Sequence, residues 1–149
     1  MRPCRCPHRE PERYQRRVSG PLLDRIDLRV VMPRIDPDEL VGAARPESST
    51  AVAERIAHGW RVARERNNGE PNASLRGARL LTACAMDPTA RMTARELAQA
   101  LELTARGVHR MLRVARTVAD LRGLERVSRD ELLAASSMRD RSMEREPAA

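Results

Sequence analysis

The 149-residue chain contains no lysine and no phenylalanine. All 28 of its basic residues are therefore arginine, against 21 acidic ones. Biased codon usage would produce such a replacement wholesale, so the choice of arginine at any one position carries little meaning by itself. The lack of lysine excludes the G-x-x-x-x-G-K-[ST] loop that cradles nucleotide phosphates. No apolar run ends in acids that would hold Mg²⁺. The chain alone is therefore not expected to hydrolyse ATP. With one Trp and one Tyr, it lacks the aromatic platform on which single-stranded nucleic acids stack. No window approaches the roughly 20 apolar residues of a membrane span, and Met1-Arg2-Pro3-Cys4 opens no secretory signal. A cytoplasmic location is expected. Three cysteines, an odd number, argue against a disulfide scaffold. Cys84, inside the apolar run Leu80-Leu81-Thr82-Ala83-Cys84-Ala85, reads as a buried structural thiol.

What is present points to anions. The net charge is +7, the isoelectric point is near 10.9 and the mean hydropathy is −0.58. Such a balance suits a soluble chain with phosphate-bearing partners.

Residues 1–18 are rich in Arg, Pro and Glu. Cys4-Arg5-Cys6, with His8 close behind, offers three of the four ligands that a structural zinc site needs. Gly20-Pro21 signals a turn. Ile26, Leu28 and Val30 then alternate with Asp27 and Arg29, the pattern of a short strand. Arg25 sits at its mouth. It is suited either to a surface ion pair with Asp24 or Asp27 or, through its planar fork of donors, to phosphate oxygens. Residues 42–48 read as a polar linker.

From Ser49 the period is helical. Val52, Ile56, Trp60 and Ala63 share one face, and Ser49 or Thr50 is the expected N-cap. Asn67-Asn68-Gly69 ends that helix, and a second is expected from about Leu75 to Ala85. Asp87 caps a third with Pro88 at its first position, a choice that buries Met92, Leu97 and Leu101 together. Thr93 with Glu96 is the alternative start. Thr104 caps a fourth helix with an apolar stripe of Val108, Met111, Leu112, Ala115, Val118 and Ala119, and Gly123 ends it. Ser128 with Glu131 forms a capping box, and Val127 with Leu132 a staple, for a last helix running to about Met138. Residues 139–149 read as a disordered tail. His58 and His109 read as surface or half-buried residues without a catalytic role.

Two stretches carry a family resemblance. Ser-Gly-Pro-Leu-Leu-Asp-Arg-Ile-Asp-Leu, residues 19–28, resembles the arginine-finger segment of the magnesium-chelatase-like AAA+ ATPases, the group of the competence-associated YifB and ComM-type proteins. Thr104-Ala105-Arg106, opening the fourth helix, resembles the sensor 2 motif of their helical lid. The resemblance implies that Arg25 reaches the ATP site of a neighbouring subunit. There, an arginine neutralises charge on the transferring γ-phosphate. It implies that Arg106 touches the nucleotide of its own subunit. In that family a C-x-C such as Cys4/Cys6 follows an upstream Cys pair, so Cys4 and Cys6 would be part of a Zn²⁺ site. The absence of that pair, and of the phosphate loop, implies that Met1 is not the start of a complete family member.

The expected fold class is thus mainly α: a helical lid over 49–138, preceded in 1–41 by a remnant strand of the α/β ATPase core. The implied intact protein is a ring-forming motor using ATP and Mg²⁺, linked to DNA processing. The remnant strand, having lost its sheet neighbours, would expose unpaired edges. A rival reading takes Glu96–Val108 as a helix-turn-helix, with Thr104 onward as recognition helix for DNA. Glu102 stands there in the turn where glycine is expected.

Overall fold

The computed structural model describes residues 47–139 continuously and, before them, residues 13, 17, 22, 25–30, 32, 35, 41 and 42. Among these there are five α-helices and no strand. They are α1 (Ser49–Arg66), α2 (Gly77–Cys84), α3 (Pro88–Ala100), α4 (Ala105–Leu121) and α5 (Arg129–Ser137). A 3-10 turn, Asn72–Ser74, lies between α1 and α2.

Each start has a local cause. Ser48 rather than Ser49 or Thr50 caps α1, its Oγ accepting the Ala51 N–H at 3.2 Å. Asp87 accepts the Ala90 N–H at 2.7 Å, with Pro88 in the first turn. Thr104 accepts the Gly107 N–H at 3.1 Å. The box at α5 closes as expected, with the Ser128 N–H and Oγ–H both donating to Glu131 Oε2. Each cap satisfies donors that the first helical turn leaves open.

α4 is the central element and packs on α5, α1, α2 and the 3-10 turn. Its Met111, Leu112, Ala115 and Ala119 are buried against Leu75, Leu80, Cys84, Ala90, Ala94, Val127, Leu132 and Ala135. Two expected faces are shifted. In α3 the buried positions are Ala90, Thr93 and Ala94 with Leu97 half-buried, while Met92 is 57% exposed. In α1 only Gly59 and Ala63 are buried, and Ile56 and Trp60 are 45% and 51% exposed. The reason is close approach: Gly59 lets α1 lie on Leu121, where an added Cβ would come within 3.0 Å of Leu121 Cδ2. Burial is thereby concentrated at Gly59 and Ala63.

The strand expected over 26–30 does not form. These residues are irregular chain, and the Arg29 N–H donates to Met138 O at the end of α5. A strand is defined by its ladder, and no neighbouring strand is present among the described residues. Cys4, Cys6, His8, most of the expected linker and residues 140–149 lie outside the described residues.

Candidate phosphate-binding site

Arg106 is exposed in the first turn of α4. That turn contains no acidic residue. A helix N-terminus carries the positive end of the macrodipole, so an arginine there is disfavoured unless an anion offsets it. Arg110 and Arg113 continue the same face, at the i+4 and i+7 positions. Neither is fully exposed.

Arg110 meets the segment that carries Arg25. Its Nε lies 2.8 Å from Asp27 Oδ1, and its Nη2 donates to the backbone oxygen of Arg25 at 2.6 Å. The Arg110 side chain is only 14% exposed, against 49% for Asp27. Arg25 itself is exposed, in a turn closed by its N–H on Leu22 O at 2.9 Å. The two motif stretches therefore meet one helical turn, about 6 Å of axis, from Arg106. Asp27 directs its carboxylate to Arg110, a partner 83 positions away in the chain. No local pattern of residues signals this contact.

Further down the face, Arg113 Nη1 and Arg76 Nη1 both donate to Leu75 O, at 3.4 and 2.9 Å. Burial, and then the neighbouring Arg76, push the Arg113 guanidinium below its ordinary range, against the pull of Asp27. Among the described residues the region is thus strongly positive, and the Asp27 carboxylate faces it.

A buried polar network stands behind this face, and sequence reasoning missed it. Asp120 accepts from Arg66 Nη1, Arg66 Nη2 and Asn72 Nδ2, at 2.5, 2.9 and 2.7 Å. Arg116 lies beside it at 3.0 Å and also donates to Ala83 O and Glu125 O. The available signal was Asp120 itself, an acid in the last turn of an otherwise basic helix, where the macrodipole disfavours it. Between α1 and α4 an apolar groove of about 360 Å³ is lined by Ile56, Trp60, Pro71, Thr117 and Leu121. Its polar floor, Asp120, is already held by Arg66 and Asn72.

The helix-turn-helix reading finds α3, a short turn and α4 in place, with Glu102 in the left-handed region at φ 49°. In α4, however, only Ala105, Arg106, Thr117 and Leu121 are exposed. A recognition helix needs an open face along its first turns, and here Arg110 is already engaged by the 25–27 segment. His58 is exposed and His109 half-buried. No group of three His, Cys, Asp or Glu suited to a metal occurs among the described residues. No described helix is long and apolar enough to cross a membrane.

Comparison with known proteins identifies the family. Residues 46–139 match the family described as magnesium chelatase, subunit ChlI C-terminal, and residues 1–40 match magnesium chelatase, subunit ChlI. The chain belongs to the magnesium chelatase ChlI family. Within it, an uncharacterised protein of Mycobacterium tuberculosis is 37% identical over 139 residues, covering 91% of this chain and 27% of that protein. YifB of Salmonella typhimurium, also uncharacterised, is 34% identical over 138 residues, covering 91% and 27%. The competence protein ComM of Haemophilus influenzae is 32% identical over 128 residues, covering 85% and 25%. The chain spans about a quarter of the length of these ChlI-family relatives. The mainly helical architecture agrees with the family's C-terminal domain.

Proposed function

We propose that this chain is the nucleotide-responsive end of a ring-forming, ATP-driven motor of the ChlI family. Arg106 contacts a phosphate of the ATP bound in its own subunit. Arg25 reaches the γ-phosphate in the neighbouring subunit and neutralises charge developing there during transfer. The observation that carries this reading is the exposed Arg106 in an acid-free first turn, one turn from the arginine that holds the Arg25 backbone. The described residues suit phosphate rather than metal, so Mg²⁺ enters with the nucleotide. ATP hydrolysis needs a phosphate loop that this chain does not contain. One relative is named a competence protein, and with the net charge of +7 this supports work on DNA.

The test is a chimera that joins this chain to the remaining part of the Salmonella relative. Arg106→Ala should raise KM for ATP, and Arg25→Ala should abolish hydrolysis. Mixing the Arg25→Ala chimera with one dead in its phosphate loop should restore hydrolysis, because each supplies what the other lacks. Hydrolysis unchanged by Arg25→Ala would end the reading of Arg25, and an unchanged KM would end that of Arg106.

A further inference from the structure

We infer that Arg110 is the positioning residue that mounts the Arg25 loop on the lid, so that this arginine moves with α4 rather than as a loose segment. The inference rests on the functional reading of Arg25 given above, but its geometry stands separately.

One guanidinium spans two acceptors that lie two residues apart in the chain: Asp27 Oδ1 on Nε and Arg25 O on Nη2. Arginine presents its donors in a rigid planar fork. The two bonds therefore set both the position and the direction of the backbone at 25–27. The bond is to the oxygen of Arg25, not to its side chain, which remains exposed. The segment is thus fastened by its backbone while Arg25 stays exposed. A third tie, from the Arg29 N–H to Met138 O at 2.8 Å, fixes the following residues to the end of α5. Charge-assisted hydrogen bonds of this kind are stronger than neutral ones.

Arg110 also shares a helix with Arg106, one turn away. A shift of α4 on nucleotide binding would be passed to the 25–27 backbone through the Arg110 side chain. This assigns the link between the two arginines to one residue rather than to the lid as a whole. A packing role for Arg110 would need only its aliphatic stem. A positioning role needs both donors.

The experiment is amide hydrogen exchange on the full 149-residue chain. In Arg110→Met, which keeps the stem, the Arg29 amide, which donates to Met138 O, should exchange about tenfold faster, while Leu112 and Ala115 in the core stay within about twofold. Arg110→Lys, with a point charge instead of a fork, should not restore protection. Asp27→Ala added to Arg110→Met should change little further. Protection of the Arg29 amide retained in Arg110→Met would overturn the inference, as would full rescue by lysine. In the chimera, Arg110→Met should lower kcat with KM for ATP unchanged, and a raised KM with unchanged kcat would count against it. Arg106→Ala should leave exchange of the Arg29 amide as in the parent, so a failure of the nucleotide reading is visible apart from a failure of the anchor.

Discussion

Asp120 Oδ1 lies 3.0 Å from Nη2 of Arg116, one turn earlier on α4, and both side chains are buried. Burial lowers the Arg116 guanidinium from its ordinary range while Asp120 opposes that shift. Arg116 also holds Ala83 O and Glu125 O, tying α2 and the loop before α5 to the central helix. Asp120→Ala leaves a buried arginine without its counter-charge. The expected loss is about 3–5 kcal/mol, read as a fall in the urea unfolding midpoint. A loss under about 1 kcal/mol would show that solvent reaches the site after relaxation.

Acid should weaken the start of α5. Burial alone would raise the Glu131 carboxyl, but hydrogen bonds from Ser128 and Arg122 outweigh it and hold it below its ordinary value of 4.5. A depressed folded value means stability that is present above 4.5 and lost as pH falls through the lower, folded value. Glu131→Gln removes this dependence and costs about 1 kcal/mol at pH 7. Urea midpoints of the parent and the variant at pH 7, 4 and 3 should converge at the acid end. A constant difference between them would count against the ionised box.

Cys84 should be chemically silent in the folded chain. Burial pushes its thiol up to about 11, against the opposing pull of Arg116. Alkylation at pH 8, followed by peptide mass spectrometry, should mark Cys84 only at the rate at which the core opens. Labelling at the rate of a free thiol would contradict its position between α2 and α4.

Trp60 should matter less than its size suggests. A buried Trp→Ala change typically costs about 3–5 kcal/mol. Trp60 is half exposed, with the Arg64 guanidinium 5.2 Å from its ring centroid. Trp60→Ala is expected to cost under about 1 kcal/mol. Iodide should quench its fluorescence readily in the folded state, and a shielded, blue-shifted emission would reverse the expectation.

The helix starts at Asp87, Thr104 and Ser128 were legible because a cap is a hydrogen bond across three residues, and spacing alone reveals it. The phase of α3 was not. Met92 and Ala94 are both plausible inward residues, and the choice depends on how α5 lies across the helix. Alternation at 26–30 suggested a strand, yet a ladder needs a second strand that local pattern cannot supply. At the candidate site, Arg106 was readable as the first turn of a capped helix. The Arg110 contact was not, since its acceptors lie more than 80 residues away and Asp27 has arginines two positions to either side that offer nearer partners.

The fork of Arg116 has a consequence for a chain in which arginine stands at every basic position. Replacing the 28 arginines one at a time by lysine would divide them into two populations. Positions that make a single point contact, such as Arg79 with Glu70, would tolerate the exchange. Arg110 and Arg116, which each engage several acceptors in different directions, would not. The uniform alphabet conceals a short list of sites where the shape of the guanidinium, rather than its charge, decides the contact.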